Sequence, residues 1–333
     1  MADIARLAGV SVSTVSRALS GSPLVNAATK QRVAELARSL NYSINVGAQN
    51  LRLKQNRTVA VIVPFDPETR QHLSDPFFLA IIGSIADALT DRGYDMLLSR
   101  VDANTLDQAA QFHGTGRAVG IILIGQWHHH DQLNQMALRG VPLVVWGAQL
   151  SGQIYASVGS HNQIGGEQAT AHLLAQGARR IAFLGDPELP EVGLRYAGYL
   201  NAHERAGITP DPQLMLPVAF VRESVQAAVR ELHARGVPFD AVFAGSDLVA
   251  MTTTSTLRSL GVNVPEDVLV AGYDDIELAA HFHPPLTTVR QPIVEAGEAL
   301  VNCLLSQLAG ERPQSVLLPT ELVVRESTQT TTA

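Results

Sequence analysis

The sequence predicts an α/β protein in three parts: a small helical head, a short connecting segment and a body of two doubly wound parallel-sheet lobes. Three observations predict it. Charge is split, with residues 1–57 at net +6 and the remainder at −13 within an overall −7. Three short helical periodicities fill the first 43 residues. From residue 58 strand-length apolar runs alternate with helical stretches, and the rhythm occurs twice. A basic head on an acidic body points to a polyanion partner for the head and a separate task for the body.

The chain of 333 residues is 46% hydrophobic and 17% charged, enough for two or three cores and far from a disordered composition. No run reaches the ~18 uncharged apolar residues that a membrane helix needs. The first residues also lack the apolar core of a secretory signal. No membrane partner and a cytoplasmic location are therefore expected. The single cysteine, Cys303, excludes an internal disulfide framework and a cysteine-rich zinc site. It stands in the amphipathic run AGEALVNCLLSQLAG and reads as a core residue.

The first helix of the head covers IARLAG (4–9), apolar at Ile4, Leu7 and Ala8, with Gly9 suited to a left-handed cap. Ser11 caps the second helix. Its Val15, Ala18 and Leu19 share one face, leaving Val12, Ser13, Ser16 and Arg17 on the other. The third, capped by Asn26, presents Val33, Leu36, Ala37 and Leu40. Two helices joined by a Gly-containing turn, completed by a third, make a helix-turn-helix. Such a unit lays its second helix in the major groove of double-stranded DNA. Val12 can pack on a thymine methyl, Ser13 can bond a base edge and Arg17 can bind guanine bidentately. A merely solvated face would carry Glu and Lys rather than Val, Ser and Thr. The DNA-facing set of the head is Ser11, Val12, Ser13, Thr14, Ser16, Arg17 and Asn26.

In the body, TVAVIVP, YDMLLSR, AVGIILIG and PLVVWGA read as buried strands of a first sheet. RRIAFLGD, MLPVAF, DAVFAGS and VLVAGYDD read as strands of a second. PFFLAIIGSIADALTDRG, NTLDQAAQFH, DQLNQMALRG, EQATAHLLAQG, EVGLRYAGYLNAHERAG, VQAAVRELHARG and VAMTTTSTLRSLG read as the intervening helices. Ligands of open parallel sheets bind beyond the carboxyl ends of the strands, so two facing lobes make a cleft.

DIARLAGVSVSTVSRALSG, followed by TKQRVAELARSLNY, resembles the DNA-binding headpiece of the LacI/GalR family of sugar-responsive transcriptional regulators. The string GVSVSTVSRAL is highly specific to it. To about residue 328 the body resembles the periplasmic-binding-protein-like effector domain of the same family. That match runs through GSHNQIGGEQATAHLLAQGARRIAFLGD, GSDLVAM, VPEDVLVAGYDDIELAAHFHPPLTTVRQP and LLPTELVVRES. The resemblance implies a helix-turn-helix domain over 1–43, a hinge over 44–57, an effector and dimerisation domain over 58–328 and a polar tail over 329–333. With crossings near Gly159, Pro285 and Pro319, the first lobe would hold 58–158 and 287–318, and the second 159–286 and 319–328. The hinge helix would be capped by Asn45, include Ala48 and Arg52, and wedge Leu51 between base pairs in the minor groove. Ile44 stands where the family commonly has Pro, and Gly47 where it has Ala. Gly costs roughly 1 kcal/mol within a helix, so this hinge is expected to fold only on DNA.

The resemblance also implies cleft residues. Arg195 and Asp274 match an arginine and a carboxylate used on sugar hydroxyls, which suit them because both make paired, charge-assisted bonds. Ser246 stands where relatives often place Asn, and Asp247 follows it. The only two tryptophans, Trp127 and Trp146, and also Phe220, stand at strand ends as stacking faces. Trp146 reads equally as a half-buried strand-end residue. Gln126 adjoins Trp127, and Asp75, Pro76 and Phe78 line the first-lobe rim. The preceding FDPETRQHLS is longer than usual and is expected to shape a larger site. Gly147 stands where some relatives carry a ligand-binding acid, so no known sugar preference transfers directly.

His128 to His130 cannot converge on one ion from consecutive positions, and no cysteine or acidic pattern accompanies them, so they read as a polar cleft rim. GTGRAVG (114–120) precedes a strand instead of following one, the wrong order for a phosphate cradle. The nucleophile elbow GxSxG is absent. No metal, cofactor or catalytic residue is expected. The leading reading is a homodimeric repressor on a palindromic operator, released by a small sugar-like effector and controlling carbohydrate utilisation genes. The aromatic cleft favours a glycoside or oligosaccharide. A sugar-binding protein of transport or chemotaxis is the alternative, but it needs a secretory signal and has no use for a basic helix-turn-helix. An enzyme of carbohydrate metabolism is the third, and it would need a catalytic carboxylate pair or a cofactor loop.

Overall fold

A computed structural model describes residues 1–19, 22–40, 56–67 and 71–329. The chain divides into two compact units, Met1–Asn56 and Arg57–Ala333. The expected hinge residues Asn45, Ala48, Leu51 and Arg52 lie outside the described residues.

The first unit holds α1 (Ala2–Ala8), α2 (Val12–Leu19) and α3 (Ala27–Ser39). Gly9 ends α1 at φ 63°, ψ 34°, a left-handed conformation that glycine adopts without strain. Ser11 Oγ accepts the Thr14 amide at 3.1 Å, and Asn26 Oδ1 accepts the Thr29 amide at 2.8 Å. Each such cap contributes about 1 kcal/mol. Ile4, Ala5, Ala8, Val15, Ala18, Val25, Val33 and Ala37 form the core. Two expected core leucines stand outside it. Leu7 lies roughly 100° around α1 from the Ile4–Ala5–Ala8 face and is exposed. Leu40 sits past the end of α3 and is also exposed.

The second unit contains two six-stranded sheets. Its strands are β1 (Thr58–Phe65), β2 (Asp95–Asp102), β3 (Gly120–Ile124), β4 (Leu143–Trp146), β5 (Ala156–Ser160) and β6 (Ile181–Leu184). They continue with β7 (Met215–Leu216), β8 (Ala241–Ala244), β9 (Leu269–Asp274), β10 (Thr287–Arg290), β11 (Val316–Leu318) and β12 (Glu321–Val323). The first sheet, ordered β11-β5-β4-β3-β1-β2, is wholly parallel. The second, ordered β12-β10-β9-β8-β6-β7, is parallel except for its β10–β12 edge. β-branched and apolar runs such as VAVIV in β1 are buried on both faces, as parallel sheets require. Each sheet carries an apolar layer on either side. Among the described residues no helix is long and apolar enough to cross a membrane.

Four expectations about elements need correction. Residues 287–290 belong to the second lobe, because β10 pairs with β9 and buries Thr287 and Thr288. The helix Ile293–Leu308 packs Ala296, Leu300 and Cys303 into the first-lobe core, so the chain crosses at Gln291–Pro292 and not at Pro285. The unexpected strand β5, ASVGS, lies buried between β4 and β11 despite its small polar residues. The helix expected over 104–113 is a 3-10 turn, Ala103–Ala109, and a short helix, Ala110–Gly114; Thr105 breaks it at φ −128°, ψ 45°. In MLPVAF only Met215 and Leu216 pair, since Pro217 has no N–H to give the ladder.

In the second lobe the helices Asn162–Ala175 and Pro190–Arg205 cross through glycines. A Cβ at Gly166 would strike the Arg195 carbonyl, and one at Gly198 would strike the Gln163 carbonyl. Gly166→Ala should therefore destabilise the body by roughly 1–3 kcal/mol in denaturant unfolding. An unchanged midpoint would contradict this close approach.

Candidate functional site

A cleft of about 260 Å³ lies where the carboxyl ends of the two sheets face each other. After β1, β3 and β4 the first lobe contributes Asp66, Gly125, Trp127, His128 and Trp146. The loop and helix start that follow β1 add Gln71, Asp75, Phe77 and Phe78. The second lobe contributes Asp186 to Arg195 after β6, Pro217 to Phe220 after β7, Ser246 after β8 and Asp274 at the end of β9.

Arg195 is 7% exposed. Its Nε donates to Asn162 Oδ1 at 2.8 Å, Nη1 donates to the Gly245 carbonyl, and the guanidinium carbon stands 3.8 Å from the centre of the Tyr273 ring. Asp274 accepts from Gln291 Nε2 at 2.7 Å, and Gln291 Oε1 accepts from Ser160 Oγ. Burial pushes the Asp274 carboxyl up to about 7; Arg195 pulls it down and Asp75 adds to the rise. Burial likewise raises Asp75, which caps the helix Pro76–Asp91 by accepting from the Phe77 amide at 3.0 Å. Trp127 (φ 48°) and Asp274 (φ 122°) adopt backbone conformations that side chains other than glycine rarely take, and both line the cleft.

Aromatic rings supply the apolar surface. Trp146, 5% exposed, has its ring centre 6.3 Å from that of Phe77, which lies 5.8 Å from Phe78. Phe220 sits over Gly245, where a Cβ would meet its ring at 3.3 Å.

Eight of the eleven expected cleft residues line it, namely Asp75, Phe78, Trp127, Trp146, Arg195, Phe220, Ser246 and Asp274, whereas Pro76, the first residue of the helix that Asp75 caps, does not. Nor does Gln126. It is fully buried, with Nε2 donating to the Ala148 carbonyl at 2.7 Å and to Tyr155 Oη at 2.9 Å. It fills the space a side chain at Gly147 would need, since a Cβ there would stand 2.7 Å from its amide carbon. Asp247 is also turned away, fully buried behind β9, where it accepts from Thr288 Oγ1 and from the Ile276 amide at 2.9 Å. The side-chain-free Gly272 leaves it that room.

Sequence reasoning did not single out Phe77, Asp186 or Glu191; Asp66 and Gln71 lie in FDPETRQHLS, the stretch expected to shape the site, and His128 lines the cleft as its reading as a polar rim expects. Glu191 stands in the first turn of the helix Pro190–Arg205; burial raises its carboxyl against the pull of its own amide, of Arg195 and of the Gln126 and Ala148 amides of the other lobe. Phe77 adjoins Phe78 in the first turn of the helix Pro76–Asp91, where the sequence does not decide which of the two rings turns to the cleft. His130 bonds Tyr155 Oη at 3.0 Å and packs edge-on to that ring.

In the head, Val12 is 47% exposed, Ser13 and Arg17 are exposed, and Thr14 and Ser16 are half-buried. The hydroxyl of Ser11 is engaged at the start of α2, with the oxygens of Ser13 and Thr14 each 2.8 Å away. Asn26 is exposed and uses its Oδ1 as the α3 cap.

Residues 1–45 match the model of bacterial regulatory proteins of the lacI family, and residues 170–328 match that of the periplasmic binding protein-like domain. The HTH-type transcriptional regulator CelR of Thermobifida fusca is 37% identical over 331 residues, covering 97% of this chain and 96% of the relative. The chain belongs to the LacI family. A second LacI-family relative, the HTH-type transcriptional repressor CytR of Escherichia coli K12, is 33% identical over 336 residues, covering 99% of this chain and 96% of its own. Among solved structures of the family, a CelR–cellobiose complex superposes with TM-score 0.74 at 34% identity, over 97% of this chain and 98% of that one. A lac repressor dimer bound to operator and the anti-inducer ONPF superposes with TM-score 0.84 at 26% identity, over 98% of each. As a LacI-family member the chain is a DNA-binding transcriptional regulator: three-helix headpiece first, periplasmic-binding-protein-like body after it.

The raised Asp274 carboxyl has a consequence for stability. Its contribution is full below the ordinary carboxylate range and is lost as pH rises through about 7, because the folded site prefers the protonated acid. Asp274→Asn should therefore stabilise the body more at pH 8 than at pH 5, by roughly 1–3 kcal/mol, measured by thermal unfolding at both. A gain at pH 5 equal to that at pH 8 would contradict the assignment.

Proposed function

We propose that the protein is a homodimeric repressor that binds a palindromic operator and releases it when a saccharide occupies the cleft, controlling genes of carbohydrate use in the cytoplasm. The observation that carries the saccharide half is the presence of buried Arg195 and Asp274 in one cleft with the Trp146–Phe77–Phe78 aromatic face. Carboxylate and guanidinium bond ring hydroxyls, and flat rings cover the apolar faces of sugar rings. The cellobiose held by the similar CelR structure supports a glycoside. Exposed Val12, Ser13 and Arg17 on α2 support base reading in the major groove. Asn45, Ala48, Leu51 and Arg52 belong to the proposed hinge contact in the minor groove. Pairing of two chains is supported by the dimeric lac repressor structure and by exposed Leu79, Leu278 and Val294 on this body.

The test is binding of the full chain, at physiological salt, to the palindrome upstream of its own gene and to a scrambled duplex of equal length. A clear preference for the palindrome is expected, and equal affinity would contradict operator recognition. Arg17→Ala should weaken palindrome binding by roughly 1–3 kcal/mol and relax selectivity at one base pair, read by competition with single-base variants. Arg195→Ala should keep palindrome affinity but lose release by the saccharide that stabilises the wild-type protein. Normal release by that variant would remove Arg195 from the effector site.

A further inference from the structure

We infer that the cleft accepts an uncharged, hydroxyl-rich saccharide and rejects its phosphorylated and uronic-acid counterparts, with Glu191 and Asp186 setting that choice. This deepens the saccharide reading above and rests on it.

The charge inventory of the cleft is lopsided. Five carboxyl groups line it, those of Asp66, Asp75, Asp186, Glu191 and Asp274, and among the described lining residues Arg195 is the one arginine or lysine. Two of the three nitrogens of Arg195 already donate to protein, to Asn162 and to the Gly245 carbonyl.

Anions are commonly held at helix N-termini, where unpaired amides and the helix dipole favour negative charge. Three helices begin at this cleft, two capped by a side chain and the other carrying a carboxyl in its first turn. Asp75 caps Pro76–Asp91 through the Phe77 amide, and Pro76 has no N–H to offer. Pro190 opens the second helix, likewise without an N–H, and Glu191 follows it in the first turn. Ser246 caps the third through the Val249 amide, with Asp247 next to it. An incoming phosphate would find the Phe77 and Val249 amides already taken and the Asp75 and Glu191 carboxyls at the first two starts. A hydroxyl suits the same surroundings, because it donates to a carboxylate in a charge-assisted bond.

Glu191 and Asp186 are the two acids that the second lobe contributes between β6 and Arg195. Asp186 shapes its own loop by accepting from the Glu188 amide at 3.1 Å, and Glu191 faces first-lobe amides across the cleft. Both stand on the lobe facing that of Asp75. Burial raises the carboxyls of Asp75, Glu191 and Asp274 alike, so the environment already resists negative charge before any ligand arrives.

The experiment is a thermal-shift screen of the full chain followed by titration, using matched sets: glucose with glucose 6-phosphate and glucuronate, and cellobiose with its 6′-phosphate and its uronic acid. Every stabilising member should be uncharged, and its anionic counterparts should bind at least about tenfold more weakly. Glu191→Gln and Asp186→Asn, titrated with the same pairs, should each narrow that gap several-fold. An anionic member that binds as tightly as its neutral parent overturns the inference while leaving the saccharide reading intact. A gap unchanged in both variants overturns the assignment to these two residues. A screen in which nothing stabilises the protein overturns the saccharide reading, and this inference with it.

Discussion

The buried guanidinium of Arg195 is the interaction on which the second-lobe face of the cleft depends. A cation removed from water is tolerated only when its donors and its charge are answered nearby. Here Asn162, the Gly245 carbonyl and the Tyr273 ring answer it, and they come from the start of the helix Asn162–Ala175, the residue after β8 and β9. One side chain therefore fixes four parts of the lobe relative to one another. Its helix can approach closely enough only because Gly166 and Gly198 carry no side chain.

A second polar chain starts from the carboxyl beside it. Asp274 is bonded to Gln291, and Gln291 to Ser160, so a cleft-facing group touches the segment where the chain leaves the second sheet and the strand end where it leaves the first. A ligand shifts an equilibrium between lobe arrangements only by as much as its contacts differ between them. Residues bonded both to the cleft and to the crossings are where such a difference is physically available. The unusual backbone of Trp127 and Asp274 belongs to the same setting, strain held in place by the structure packed around it.

Elements that bury an unbroken apolar face were legible in the sequence, as β1, β3 and the helices of the head show. Where that signal weakens, reading faltered. The strand β5 is small and polar, so its burial comes from its neighbours and not from its own composition. The crossing was placed at a proline pair, although buried Thr287 and Thr288 continue the second sheet past it. At the cleft, Arg195 and Asp274 were legible through family motifs. Gln126 and Asp247 were misplaced because a residue at a strand end can turn to the cleft or to the interior, and spacing does not decide which. The missing side chain at Gly147 drew Gln126 inward, while Gly272 made room for Asp247. Asp186 and Glu191 sit in a loop and a first helical turn, where periodicity carries no information.

The central claim is that occupation of this cleft and grip on an operator are coupled. It is tested most directly by measuring palindrome affinity with and without a saturating amount of a saccharide that stabilises the protein, and saccharide affinity with and without palindrome. The account predicts that each ligand weakens the other by the same factor, since coupling between two binding sites is reciprocal. A saccharide that binds the cleft and leaves palindrome affinity unchanged would contradict it.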